Sequence, residues 1–317
     1  MQSTEVIEFS VVIPLYNKER EIIRALESVF SQIKQPNEVI VVDDGSTDAG
    51  LQLVKQRYGS KVKLLVQQNS GVSVARNNGI REAASSFICL LDADDEWLPG
   101  YLLEIARLIT HFPTATLYST NIFYRDENGK PIPSSIGVPC DYFGVIEDFP
   151  LTFSKGYGLI SSSSACIRKD IFDSGIIFPE GEKRGEDLYY WLRLGMTGSL
   201  AFSAKPYGRV NLNAQNRSIS MNGILHYHFR WFYENKRLIS NHKLFKSIES
   251  FIQKNAVIQA YGLKLAGDND SVNMLIKLLF KNKDYTFIYL IPALLFPGFL
   301  LQFIMKIRRS IRNIVRR

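Results

Sequence analysis

The sequence predicts an α/β protein: a mostly parallel sheet flanked by helices, followed by a helical C-terminal extension. Three observations carry that expectation. Short β-rich runs alternate with helical stretches between residues 9 and 91. Those runs are apolar nearly throughout, as strands covered on both faces are, rather than at every second residue. Each run also ends in polar residues: Tyr16-Asn17, Asp43-Asp44, Gln68-Asn69 and Asp92 to Asp94. In open parallel sheets ligands bind beyond the carboxyl ends of the strands, so that shared position marks the expected site.

Taken in order, residues 10–15 (SVVIPL) read as the first strand and 19–31 as a helix. Residues 38–43 (EVIVVD) form a second strand before a helix from about 48 to 58, and 62–66 a third before a helix over 72–84. A fourth strand, 87–91, runs straight into acids. After Trp97-Leu98-Pro99-Gly100 a helix is expected over 99–111 and a strand over 116–124. Residues 125–165 change character. Asn128-Gly129 signals a tight turn, and Pro131, Pro133, Pro139 and the Ser161 to Ser164 run predict loops and short antiparallel pieces. Alternation returns over 165–212, and residues 221–280 read as largely helical. The organisation expected is a body over 1–220, a helical extension over 221–280 and a hydrophobic, basic tail over 281–317.

With 317 residues, 46% of them hydrophobic, the chain can bury a full α/β core. No leader pattern opens it, since Met1 to Glu8 is short and acidic ahead of the first strand. Cys89, Cys140 and Cys166 lack metal-ligand spacing and are expected as reduced thiols. The formal charge of +7 is unevenly placed: residues 281–317 hold eight Lys/Arg and one acid, leaving 30 of each sign elsewhere. A neutral body with a basic tail argues against nucleic acid, which calls for basic residues interleaved with aromatics across the fold, and for an anionic membrane surface.

Four groups of residues carry chemistry. Asp92 and Asp94 are i, i+2 at a strand end and present two carboxylates to one side. Hard oxygen donors in that pattern suit Mg²⁺ or Mn²⁺ holding phosphates, although a solvated acidic turn has the same composition. Asp43-Asp44-Gly45-Ser46-Thr47-Asp48 offers carboxylates to a ribose hydroxyl or a base N–H, with Gly45 for the turn and Ser46 or Thr47 to cap the helix. Arg76, one turn into a helix, is placed to reach a diphosphate or steady the Asp92–Asp94 pair, or is a surface arginine. Gly185-Glu186-Asp187 sets carboxylates at a helix start, which suits a general base and equally a simple cap. His111, His226, His228 and His242 form no metal-binding pattern. The absence of GxSxG and GxxxxGK[ST] removes the simplest hydrolase and NTPase readings.

In family order and over roughly residues 8–215, these motifs resemble those of the family-2 inverting glycosyltransferases with the nucleotide-sugar-binding A-type fold. The matching pieces are VVIPLYN (11–17), VVDDGSTD (41–48), residues 71–79, LDADD (91–95) and GED (185–187). The resemblance implies that Pro14, Tyr16 and Asp44 line the nucleoside pocket with Asp43 in support, and that Arg76 lies near the nucleotide. It implies that Asp92 contacts ribose or metal, that Asp94 ligates Mn²⁺ or Mg²⁺, that Asp187 is the catalytic base and that Glu186 shapes the acceptor side. Arg217 falls where relatives carry a basic loop over the diphosphate. The implied donor is a nucleoside-diphosphate sugar, and the implied acceptor a saccharide, polyprenyl-linked in surface polysaccharide synthesis. The alternatives are a nucleotidylyltransferase, which needs a Gly-rich loop where Tyr16-Asn17-Lys18 stands, and a non-catalytic membrane-bound scaffold.

Residues 285–305 are apolar apart from Thr286 and Gln302, and long enough as a straight helix to cross a bilayer. Pro292 and Pro297-Gly298 interrupt them, and six Lys/Arg follow in 306–317. A single crossing from a cytoplasmic body would export that basic segment against the positive-inside rule. The expectation is a re-entrant or interfacial segment at the cytoplasmic face of the membrane.

Overall fold

Residues 7–126, 128–156, 158–213 and 223–295 are described by the computed structural model, and they divide into two units, 1–217 and 218–317. In the first unit β1 (Phe9–Leu15) leads to α1 (Ile22–Phe30), β2 (Glu38–Asp43) to α2 (Gly50–Tyr58), and β3 (Lys63–Val66) to α3 (Val72–Arg81). Next come β4 (Phe87–Leu90), the two-residue β5 (Glu96–Trp97), α4 (Tyr101–His111) and β6 (Leu117–Arg125). Every residue of β1 is buried, which is why these strands read as unbroken apolar runs.

The 125–165 region holds β7 (Pro131–Pro133), β8 (Phe143–Ile146) and α5 (Phe149–Phe153). The Asn128-Gly129 turn closes β6 onto β7 as an antiparallel pair. Then follow β9 (Ala165–Arg168), α6 (Lys169–Asp173), α7 (Glu186–Thr197) and the long β10 (Leu200–Asn211).

The strand order is β3-β2-β1-β4-β9-β6-β10-β5, with β7 on β6 and β8 on β10. Strands β1 to β4 are mutually parallel. Strand β9 is antiparallel to both β4 and β6, so β6 again points the way β4 does, as does β10, parallel to β6. The carboxyl ends of β1, β2, β4, β6 and β10 therefore share one rim. The register of β10 slips between Ser203 and Gly208, and there its outer partner changes from β8 to β5. A bulge of this kind bends and twists a strand, and the sheet is the mostly parallel one expected, made mixed by the antiparallel pairings of β5, β7, β8 and β9.

The main core lies between β1, β2, β4 and the helices α1 and α4, with Val11, Ile13, Leu26, Val41, Tyr101 and Ile105 all buried. The three cysteines are free; Cys89 and Cys166 are buried opposite one another on β4 and β9, and Cys140 is exposed. In the second unit α8 (Tyr227–Ile239), α9 (Phe245–Leu265) and α10 (Asn269–Lys281) precede a 3₁₀ segment, Tyr285–Leu290, and α11 (Ile291–Leu295). His228 is a buried core histidine, its Nε2 2.9 Å from Asn255 Oδ1. No helix among the described residues is long and apolar enough to cross a membrane. Residues 296–305 of the expected membrane segment lie outside the described residues.

Candidate active site

At the ends of β1 and β2 two loops are stitched together. Asn17, with φ +51°, accepts at its Oδ1 from Thr47 N (2.8 Å), while its own N–H donates to Ser46 Oγ (3.0 Å). Ser46 and Thr47 are thus occupied with Asn17 and do not cap α2, whose N-cap is Ala49. Asp48 instead accepts from Gly50 N and Glu19 N. Gly45 turns the chain at φ +74°, and a Cβ there would sit 2.8 Å from the backbone N of Asn69, so only glycine fits.

The two acids of this turn have different tasks. Asp44 receives Gln67 Nε2 and Ser70 N at Oδ1 (both 2.8 Å) and Gly71 N at Oδ2 (2.9 Å), which clamps the approach to α3. Asp43 is 1% exposed; its Oδ2 takes Ser46 N at 3.3 Å, and its buried Oδ1 has no hydrogen-bond partner among the described residues. A buried carboxylate oxygen without a donor is costly, so Asp43 is the acid of this pair with an acceptor to offer a ligand. Tyr16 stands at the rim, 43% exposed, whereas Pro14 is buried within β1 opposite Val42.

Beyond β4, Asp92, Asp94 and Glu96 are each met by a cation. Arg76, 4% exposed on α3, donates from Nη2 to Asp92 Oδ1 at 2.7 Å and lies 3.7 Å from Glu186 Oε1 through Nη1. Its guanidinium also packs over the Phe178 ring, 5.2 Å from the centroid. Burial opposes its charge, but Asp92, Glu186 and Asp187 outweigh that and hold Arg76 above the ordinary arginine range. Lys18 Nζ reaches Asp94 Oδ2 at 2.9 Å, and the Asp94 carbonyl accepts from Arg24 Nη2 (3.0 Å) and Asn211 Nδ2 (2.7 Å).

Asp95 turns away from this rim and locks the loop. It accepts from Ser163 Oγ and from Asn211 N, and burial, then Asp94 and Asp92, push its carboxyl well above the usual range. Ser163 also accepts Asp92 N at Oγ and Trp97 Nε1 at its carbonyl. Glu96 is ringed by Arg24 (3.0 Å), Arg209 (2.7 Å) and Arg125 (3.8 Å).

The start of α7 arrives at the same place because its far side is anchored. Asn77, the neighbour of Arg76, donates to Phe178 O and accepts Phe178 N. Phe178 in turn stacks on Tyr190, 3.9 Å between centroids, inside α7. Gly185 takes the left-handed conformation (φ +73°) that lets the chain enter the helix with Glu186 and Asp187 in its first turn. Both carboxyls are partly buried. Burial, then the charge of Asp187, pushes Glu186 up to about 7. Burial also raises Asp187, opposed by the N–H of Leu188 (2.7 Å) and by Arg76, and reinforced by Asp92.

Arg76, Asp92, Glu186 and Asp187 therefore form one electrostatic cluster, with Asp94 two residues beyond Asp92 on the same rim. Arg217 lies outside the described residues. Sequence reasoning missed Asn17, Lys18, Arg24, Asn77, Ser163 and Asn211. Lys18 follows the first strand directly and was the most findable; the rest reach the site across 66 or more residues of chain or through backbone contacts.

Comparisons with known proteins bear on the fold and the family. The chain is 27% identical over 212 residues to an uncharacterized glycosyltransferase of Rickettsia bellii, covering 65% of this chain and 29% of that protein. It is 30% identical over 193 residues to the poly(ribitol-phosphate) beta-N-acetylglucosaminyltransferase TarS of Staphylococcus aureus, covering 59% and 32%. The chain thus spans about a third of the length of these curated relatives. The crystal structure of S. aureus TarS 1–349 in complex with UDP-GlcNAc superimposes with a TM-score of 0.68 at 24% identity, over 87% of this chain and 80% of that one, a likeness of fold. The family model described as Glycosyl transferase family 2 matches residues 10–173. With that match spanning more than half of its length, the chain belongs to glycosyl transferase family 2, on the nucleotide-sugar-binding A-type fold.

Proposed function

We propose that the protein transfers a sugar, with inversion, from a nucleoside-diphosphate sugar to a hydroxyl of a saccharide acceptor, lipid-linked in surface polysaccharide synthesis. The carrying observation is the cluster in which Arg76 joins Asp92, at the end of β4, to Glu186 and Asp187, at the start of α7. It supports a carboxylate base beside a cation able to meet a diphosphate.

Asp92 and Asp94 offer the hard oxygen donors that Mg²⁺ or Mn²⁺ takes. No three His, Cys, Asp or Glu side chains converge on a metal site among the described residues. Asp94 would be a ligand of such an ion and Asp92 would meet the ribose or the ion, with phosphate oxygens of the donor completing the shell; in this structure Lys18 holds Asp94 and Arg76 holds Asp92. When bound, such an ion supplies charge neutralisation for the departing diphosphate.

The chain's own residues do the rest. Asp43 and Tyr16 meet the nucleoside, and Asp44 holds the loop that frames it. Asp187 takes the proton of the acceptor hydroxyl. The acceptor oxygen then bonds to the anomeric carbon from the face opposite the diphosphate, whose C–O bond breaks and whose electron pair leaves with it. Arg76 opposes the rise of Asp187 and so favours its charged form. Relatives named for teichoic acid biosynthesis in Bacillus subtilis and for poly(ribitol-phosphate) glycosylation support a cell-surface polymer as acceptor.

The test is to incubate the purified protein with a panel of nucleotide sugars and candidate acceptors, with and without Mn²⁺. Released nucleoside diphosphate is measured, and the product anomer is assigned by NMR. Metal-stimulated release and a product anomer opposite to that of the donor are expected. Release with retained configuration, or none with any donor, would remove this reading.

A further inference from the structure

The second unit exposes a run of large apolar side chains that its own core does not use. On α10 and the segment after it, Met274, Phe280, Tyr285, Ile288, Tyr289, Ile291 and Leu295 are between 38% and 72% exposed. Phe280, Tyr285, Ile288 and Tyr289 lie together. Phe280 and Tyr285 both pack against Phe287, with ring centroids 5.6 and 6.5 Å apart. Tyr285, Ile288 and Tyr289 line one open cleft together with Lys283 and with Glu249, which is neutralised by Lys236 at 2.6 Å. The segment is nevertheless fixed from behind. Leu290 is fully buried, Asp284 accepts from Tyr233 Oη (2.7 Å) and Gln253 Nε2, and Tyr261 Oη donates to the Tyr289 carbonyl. The outward face is thus a held feature of the unit.

The charge of residues 271–295 is one-sided. Between residues 271 and 295 the only acid is Asp284, 6% exposed and bonded inward. The three lysines of that stretch, Lys277, Lys281 and Lys283, are all exposed. The sequence continues into a further apolar stretch and then six Lys/Arg over 306–317. Apolar patches of this size mark interaction surfaces. Tyrosine beside lysine, apolar body inward and polar tip or charge outward, is the composition of a membrane–water interface. A protein partner of mixed charge gives no reason for removing every exposed acid from this stretch; an anionic lipid surface does.

We infer that this face, Phe280 to Leu295 with Lys277, Lys281 and Lys283, docks in the plane of an anionic phospholipid surface. The aromatic and aliphatic side chains enter the headgroup boundary, and the lysines meet the phosphates. This inference stands apart from the transfer reaction, because lipid binding is read without substrate.

The experiment is flotation of the full chain with vesicles of phosphatidylcholine alone and of phosphatidylcholine with about one-third phosphatidylglycerol. Binding to the anionic vesicles, weakened by salt, is expected. The triple substitution Tyr285→Ser, Ile288→Ser, Tyr289→Ser should lower the partition coefficient about tenfold. Lys277→Gln, Lys281→Gln, Lys283→Gln should abolish the preference for anionic over neutral vesicles attributable to this face, and, being on the surface, leaves the fold intact if the serine variant fails. Flotation unchanged in both variants would overturn the inference. So would absence of vesicle binding together with self-association, seen by sedimentation velocity, that the serine variant abolishes, since the face would then pair with a second copy of the chain.

Discussion

Replacing Arg76 with methionine tests the electrostatic centre of the site, because it keeps an unbranched stem and removes the charge together with the guanidinium hydrogen-bond donors. Arg76 is 4% exposed, and its 2.7 Å bond to Asp92 is a charge-assisted hydrogen bond, of a kind worth about 1.5–3 kcal/mol. Its loss also leaves Glu186 and Asp187 without their counter-charge. Breaking a buried pair costs about 3–5 kcal/mol, but Asp92 is 31% exposed on its side chain, so the expected loss at pH 8 is nearer ~3 kcal/mol.

The loss should depend on pH, with a definite sign. Glu186 already titrates at about 7 in the folded protein, above its ordinary value of 4.5. Without Arg76 it rises further, so the folded variant binds protons that the folded wild type has released. Stability conferred by a raised acid is present at low pH and lost as pH climbs through the folded value. The variant should therefore be penalised most above pH 7, and by about 1.4 kcal/mol less at pH 5.5 for each unit of additional rise. Urea denaturation at pH 5.5 and 8, followed by tryptophan fluorescence, reads both numbers. An equal penalty at the two pH values would refute the idea that these three acids share Arg76 as counter-ion.

Further expectations follow from the same geometry. Removing the charge of Glu186 with Glu186→Gln takes away a like charge beside Asp187, so the acid limb of the kcat/KM profile should move to lower pH; a limb that stays in place would separate the two carboxyls. Asp94→Ala should lose metal-dependent nucleotide affinity, and isothermal titration showing unchanged Mn²⁺-dependent binding would exclude Asp94 as a ligand. Gly45→Ala forces a Cβ into the left-handed region at φ +74° and to within 2.8 Å of Asn69 N, so about 1–3 kcal/mol of stability should disappear, visible as a lower thermal midpoint; an unaffected midpoint would mean that this turn has another conformation open to it.

Much of this was legible in the residues, for a physical reason. Strands covered on both faces must be apolar throughout, and their ends must return to polar residues, so β1, β2 and β4 and the position of the acids could be read directly, whereas β3 is a partly exposed edge strand. Gly185-Glu186-Asp187 was legible as a helix start, since αL entry and acidic first turns leave a local signature. What could not be read was anything settled by distant pairing. That Asp44 is spent on the Ser70 and Gly71 N–H groups while Asp43 retains an acceptor depends on a loop 23 to 27 residues away. That Asp95 points at Ser163 and Asn211 rather than at the rim depends on β10 returning beside β5. Ser46 and Thr47 had the right chemistry for a cap, and the competing attraction of Asn17 took both.

The central claim, that Asp187 is the base of a transferase whose nucleotide site stands complete without it, is tested most directly by Asp187→Asn. The substitution preserves shape and removes the carboxylate. Sugar transfer to acceptor should fall by at least about 100-fold, the scale of general-base catalysis, while nucleoside-diphosphate affinity measured by titration stays within about twofold of wild type, well under 1 kcal/mol. Near-normal turnover in this variant would contradict the account.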